Sequence, residues 1–218
     1  MTYQLYYSPA ACSLAVHIVL EELGQAFDLQ LVTNTREAGY LALNSKGRVP
    51  VLMIPGERQP LTELPVILTY LARRHPEAGL LPDDALAEAR CHEWLAWLAG
   101  WVHGMAFGAL WRPERFVSDP QVHAMIQANG KALILDSFLS IEERLAAQDS
   151  SPAPGFTLVD PFLLVLYAWG ERINLPMAKD YPAWASRTQT TLARPAVVRA
   201  LNREGIHLEL AATPHRPA

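Results

Sequence analysis

The amino-acid sequence predicts an α/β unit of order βαβ-ββα followed by an all-helical unit. Apolar residues alternate or recur at helical spacing in turn over the first 76 residues. The run His75-Pro76-Glu77-Ala78-Gly79-Leu80-Leu81-Pro82-Asp83 is dense in chain breakers, and everything beyond it is patterned as helix. The expected domains are residues 1–76 and 84–210. Half of the 218 residues are hydrophobic and 18% are charged, which provides apolar surface for a sizeable core and excludes long disorder.

Tyr3, Leu5 and Tyr7 alternate with Gln4 and Tyr6 before Ser8-Pro9, the period of a short strand. Cys12 to Leu23 carries Leu14, Ile18 and Leu23 at helical spacing, with Glu21 and Glu22 expected outside and Gly24 as the stop. Phe27, Leu29 and Leu31 alternate as a second strand. A small helix between Ala38 and Leu43 precedes a strand at Pro50–Ile54, a Pro55-Gly56-Glu57 turn and a return strand at Gln59–Thr62. Pro65 to Arg74 places Ile67, Leu68 and Leu71 on one helical face. Further helices are expected near 84–111, 120–147, 158–174, 182–193 and 195–204, and Thr213–Ala218 is expected to fray.

The balance of 18 basic and 22 acidic residues gives a net charge of -4, without the excess of cations that phosphate binding uses, so nucleic acid is not an expected partner. Cys12 and Cys91 are too few for a disulfide scaffold, and the chain reads as a cytoplasmic protein of a reducing compartment. Met1–Tyr7 has no basic region followed by an apolar stretch and does not read as a secretory signal. Trp94–Ala109 is nearly free of polar side chains. Gly100, Gly104, Gly108 and His103 interrupt it, so a buried helix at the centre of the helical domain is expected and no membrane span.

Cys12 is expected in the opening turn of a helix, where unpaired N–H groups and the helix dipole lower a thiol pKa; the alternative is a small core hydrophobe. Pro9-Ala10-Ala11-Cys12 lacks the second cysteine of a C-x-x-C pair, so any redox role needs an outside thiol. Val49-Pro50 opens a strand after the Lys46-Gly47-Arg48 turn. In cis it turns the Val49 backbone toward an extended ligand, but only about 5% of such bonds are cis, and local sequence favours trans.

Thr62-Glu63-Leu64-Pro65 ends a strand and opens a helix, where backbone donors can hold a carboxylate and Glu63 an ammonium, or Glu63 is a solvated acid complementing the dipole. His103, among Trp97, Trp101, Met105 and Phe107, reads first as a core histidine. No H-x-x-x-H pair occurs, so no metal site is expected. Phe156-Thr157-Leu158-Val159-Asp160 is a helix-start device: the Thr157 hydroxyl accepts from the Asp160 N–H while the Asp160 carboxylate reaches back to the Thr157 N–H.

The ordered set Tyr6-Tyr7-Ser8-Pro9-Ala10-Ala11-Cys12-Ser13-Leu14-Ala15, Asn44-Ser45-Lys46-Gly47-Arg48-Val49-Pro50-Val51-Leu52, Leu61-Thr62-Glu63 and Phe156–Asp160 resembles the cytosolic glutathione transferases, the bacterial beta class most closely. The resemblance implies a thioredoxin-like N-terminal domain on a helical domain, a homodimer, and glutathione as co-substrate with no other cofactor. It implies that Cys12 contacts the glutathione sulfur, with Tyr7 and Ser13 as further thiolate stabilisers. Ala11, Arg48, Val49, Pro50, Glu63, Leu64 and His103 are the implied glutathione contacts, Val49-Pro50 as a cis pair.

Leu64 replaces a small or hydroxyl residue of many relatives, Gly104 a lysine of close ones, and Ala96 and Gly100 polar residues. This implies an altered glutathione site, for which Arg48 and Arg112 are candidate compensating charges. The expected activity is conjugation of glutathione to a hydrophobic electrophile. The alternatives are glutathione-dependent thiol-disulfide exchange and non-catalytic ligand binding.

Overall fold

The computed structural model describes residues 2–147 and 155–208; the expected domain end at 210 and the expected fraying of Thr213–Ala218 lie outside them. β1 (Tyr3–Tyr7) sits inside a four-stranded sheet of order β2-β1-β3-β4. It runs parallel to β2 (Phe27–Leu31), from Tyr3 against Phe27 to Tyr7 against Leu31. It runs antiparallel to β3 (Val51–Met53), with Leu5 against Leu52, and β4 (Leu61–Thr62) closes the hairpin. The period-two pattern of β1 is realised, with Tyr3, Leu5 and Tyr7 buried. β3 and β4 are shorter than expected because Pro50 has no N–H for the ladder and the Pro55-Gly56 turn cuts pairing early.

α1 (Ser13–Glu22) makes the crossover between β1 and β2, and Gly24, at φ 59°, turns the chain after it. Unlike the amphipathic helix that was expected, every residue from Ser13 to Glu21 is buried. α10 (Pro195–Glu204) lies across its polar side: Arg199 and Arg203 donate to the Glu21 carboxylate at 2.7 and 2.8 Å, and His17 Nδ1 meets Glu204 Oε1 at 2.8 Å. α2 (Ala38–Leu43) and α3 (Leu64–Arg74) complete a thioredoxin-like unit, with Ile67, Leu68 and Leu71 of α3 fully buried.

Beyond a short turn at Pro76–Ala78 the chain is helical. Asp84 caps α4 (Ala85–Trp97) by accepting from the Ala87 N–H at 2.8 Å. The helix expected over 84–111 continues through a π-helical segment, Leu98–Phe107, into α5 (Gly108–Trp111). Trp101 and Met105 are about two-fifths exposed, so this stretch is buried on one side only.

α6 (His123–Ala146) packs against α5 at Gly130, where a Cβ would stand 2.6 Å from the Leu110 nitrogen. α7 (Val159–Arg172), α8 (Met177–Asp180) and α9 (Pro182–Leu192) follow; α8 and a 3-10 turn at Pro113–Arg115 have no counterpart in the sequence expectation.

At the start of α7 the Asp160 carboxylate accepts from the Thr157 N–H at 2.7 Å, as expected. The other half of the device differs. The Asp160 N–H bonds the Thr157 carbonyl, and the Thr157 hydroxyl instead accepts from the Val159 N–H. Arg187 of α9 closes the arrangement with two bonds to Asp160, at 2.5 and 2.9 Å.

The apolar core is continuous across the breaker-rich segment: Leu5, Ile18, Leu98, Phe162 and Trp184 belong to one buried cluster. Among the described residues no helix is long and apolar enough to cross a membrane, and no group of three or more His, Cys, Asp or Glu is placed to hold a metal ion.

Candidate active site

A cleft of about 530 Å³ opens between the sheet-side loops and the π-helical segment. The sheet-side wall is made by local hydrogen bonding. Tyr40 and Asn44 both donate to the Arg48 carbonyl, at 2.7 and 2.8 Å, which fixes the segment entering Val49-Pro50. Gly47 is required in the turn before it, with φ 59° and a hypothetical Cβ only 2.8 Å from the Thr35 carbonyl. The Val49-Pro50 bond is cis, against the expectation from local sequence alone. Cys12, 37 residues away, and the nearer Tyr40 and Asn44 hold the Val49 and Arg48 carbonyls beside it.

Cys12 lies at the N-cap of α1, is 5% exposed, and donates its S–H to the Val49 carbonyl at 3.4 Å. Burial pushes its pKa up to about 12; its own and the Ser13 backbone N–H, Arg112 and Arg48 pull the other way without prevailing. The expected lowering by the helix start is thus overturned: desolvation exceeds the dipole, and the unliganded thiol keeps its proton.

Ala11, Cys12, Arg48, Val49, Pro50, Glu63, Leu64 and His103 all line the cleft. Tyr7 and Ser13 do not. Tyr7 is buried edge-on to His17 at 6.3 Å, and the Ser13 hydroxyl closes the Ser8–Ser13 loop, donating to the Ser8 carbonyl and accepting from its N–H, both at 3.2 Å. The strand alternation that buries Tyr7 points it under the sheet, and the fully buried Ser13 is consumed by loop closure.

Glu63 precedes α3 at φ 71°, a left-handed conformation that a non-glycine residue adopts at a cost of about 1–3 kcal/mol. Its carboxylate holds Lys46 Nζ at 2.7 Å, and Lys46 also reaches the Thr62 hydroxyl at 2.9 Å.

The facing wall comes from residues recurring about every four positions: Ala99, His103, Phe107 and Trp111, with Gly104 and Gly108 leaving space between them. Phe107, Trp111 and Trp169 form an aromatic cluster with centroids 4.7 to 5.1 Å apart, and His103 packs on Trp169 at 5.1 Å. Desolvation, then Arg112, Arg48 and Arg115, lowers the His103 pKa to about 4, with Glu63 opposing. The imidazole facing the cleft is therefore neutral at pH 7. Arg112, Arg115 and Arg172 line this side as well. Trp169, Arg115 and Arg172 escape sequence reasoning, because only the packing of α7 and the turn after α5 against the π-helical segment brings them to the cleft, and Lys46 escapes it because its partner Glu63 lies 17 residues away.

Residues 10–74 match the family model described as "Glutathione S-transferase, N-terminal domain". Glutathione S-transferase GstA of Escherichia coli O157:H7 is 32% identical over 210 residues, 93% of this chain and 99% of that protein. The chain belongs to the glutathione S-transferase family. Among solved structures, a glutathione transferase homologue from Sulfitobacter with bound glutathione superposes with a TM-score of 0.86 at 27% identity, covering 94% of this chain and 99% of that one. The bacterial beta-class glutathione S-transferase of Sphingomonas chungbukensis gives a TM-score of 0.80 at 30% identity, over 94% and 100% of the two chains. Within this family the present member is beta-class-like.

Proposed function

We propose that this family member conjugates glutathione to a hydrophobic electrophile. The observation that carries the reading is the convergence of Cys12, the Val49-Pro50 cis pair and Glu63 on one wall of a cleft whose other wall is aromatic.

In this reading the γ-glutamyl carboxylate of glutathione meets the first-turn N–H groups of α3, and its ammonium meets Glu63. The cysteinyl backbone pairs with Val49, which brings the sulfur toward Cys12. The protonated Cys12 thiol turns from the Val49 carbonyl and donates to the glutathione thiolate. Arg48, on the same wall, adds a positive field that favours the ionised sulfur.

Conjugation then needs no redox change at the protein. The high thiol pKa of Cys12 also weighs against thiol-disulfide exchange, which requires a thiolate nucleophile. The protein would work as a homodimer in a reducing cytoplasm; exposed Trp101 and Met105 on the outer side of the π-helical segment support an association surface, which sedimentation checks.

Titration calorimetry with millimolar glutathione and a chlorodinitrobenzene conjugation assay test the reading. Binding with turnover is expected. Binding of apolar dyes without either would replace it by a non-catalytic carrier.

A further inference from the structure

The cleft holds more positive charge than glutathione uses. The tripeptide brings two carboxylates, one ammonium and an ionisable thiol. With one carboxylate at α3 and the ammonium at Glu63, the glycyl carboxylate and the thiolate are left for Lys46 and Arg48 on the same wall. Arg112 and Arg115, on the other wall, then have no anion to meet.

Many arginines elsewhere in the chain are held by a carboxylate; among the described residues Arg36, Arg58, Arg74 and Arg172 also lack one, but it is in the cleft that Arg48, Arg112, Arg115 and Arg172 are gathered together. Arg90 holds Glu93, Arg187 holds Asp160, Arg194 holds Glu22, and Arg199 and Arg203 hold Glu21. Among the described residues, no ion pair engages Arg48, Arg112 or Arg115, although acidic residues outnumber basic ones by 22 to 18. The guanidinium groups feel one another: burial, and then Arg112, Arg48 and Arg36, pushes the Arg115 pKa down, with Glu114 opposing. Gathering like charges without a counter-ion costs free energy that a bound anion would recover. The same wall presents Trp111 and Trp169 in edge contact at 4.9 Å, a surface for a flat apolar body.

We propose that the cleft selects an electrophile bearing a carboxylate or similar anionic group, its flat body against Trp111 and Trp169 and its anion held by Arg112 and Arg115 as specificity-determining residues. This deepens, and rests on, the transferase reading.

The test uses two chlorodinitroarenes of the same shape, one neutral and one carrying a carboxylate para to the chlorine. In both the glutathione sulfur forms the C–S bond, the C–Cl bond breaks, chloride leaves with its electron pair, and the thiol proton passes to solvent. Each kcat/KM is divided by the uncatalysed rate of its own arene, and the anionic-to-neutral ratio is the readout.

Arg112→Gln/Arg115→Gln is expected to lower that ratio by about tenfold or more. Arg112→Lys/Arg115→Lys should restore much of it, and added salt should lower it in the wild type. An unchanged ratio overturns the proposal. So does a fall of the same size for both arenes with a raised KM for glutathione, which would assign the arginines to the tripeptide.

If neither arene turns over, the transferase reading fails, and the anion site is judged separately by calorimetry. Dinitrobenzoate binding preferred over dinitrobenzene in the wild type, with the preference lost in the glutamine variant, sustains it. Equal binding overturns it.

Discussion

Trp169 donates its indole N–H to the carbonyl of Ala10 at 2.9 Å, joining residues 159 apart in sequence. Ala10 sits at φ 57°, two residues before Cys12, and its own N–H is held by Glu204 Oε2 at 3.2 Å. The peptide groups on both sides of an unfavourable left-handed alanine are thus anchored by helices of the second unit. The position of Cys12 is set from outside the sheet.

Trp169→Phe keeps most of the ring packing and removes the donor to Ala10. The expected result is a several-fold rise in the KM for glutathione with a stability loss of about 1 kcal/mol, read by steady-state kinetics and urea unfolding. A stability loss with unchanged KM would show that the Ala10 loop holds its shape without the indole.

Of the fold, what depends on local patterning was legible. The alternation in Tyr3–Tyr7, the Gly24 stop, and Pro195 in the first turn of α10 specify their elements within a residue or two. What depends on a distant partner was not. Glu21 looks solvent-facing until α10 brings Arg199 and Arg203 over it, and no pattern in Leu98–Phe107 distinguishes a π-helical from an α-helical register. At the site, Cys12 and Glu63 were visible as residues, whereas the protonation of Cys12 depends on how deeply the loop and Val49 enclose it.

That enclosure has a measurable consequence. With Cys12 raised to about 12 and Cys91 to about 11, both mainly by burial, the unliganded protein should show no thiolate absorbance step between pH 6 and 9. The unfolded chain ionises its thiols near 9, and the folded chain holds the protons longer. Stability present below pH 9 is therefore lost as pH rises toward 12, which denaturant melts at stepped pH would follow. A thiolate step near pH 7, abolished by Cys12→Ser, would contradict the burial argument.

His103 acts with the opposite sign. Its folded pKa near 4 lies below the ordinary 6.5, so the unfolded chain takes up a proton first as pH falls. Its contribution is intact above pH 6.5 and is lost toward pH 4. His103→Gln should flatten the stability profile across that window by up to about 2 kcal/mol, discounted for partial exposure. The same neutrality removes an imidazolium from the list of thiolate stabilisers, so the activity profile of the wild type should carry no His103 ionisation between pH 6 and 8.

Gly130 links packing to the proposed anion site. A methyl group there would meet the Leu110 nitrogen at 2.6 Å, the Ala106 carbonyl at 2.9 Å and the Ala109 Cβ at 2.9 Å. The first two are backbone atoms of the π-helical segment and α5, which cannot swing aside as a side-chain end can. Gly130→Ala must therefore push α6 and α5 apart, and Arg112 and Arg115 follow α5 directly in the chain. Overpacking of this kind typically costs about 1–3 kcal/mol. The substitution is expected to lower stability by that amount and to reduce turnover of an electrophile more than binding of glutathione, because the Cys12, Val49 and Glu63 wall does not touch α6. Calorimetry with glutathione alongside steady-state kinetics separates the two effects. Equal losses in both would mean that the displacement of α5 is transmitted across the cleft through His103 and Trp169.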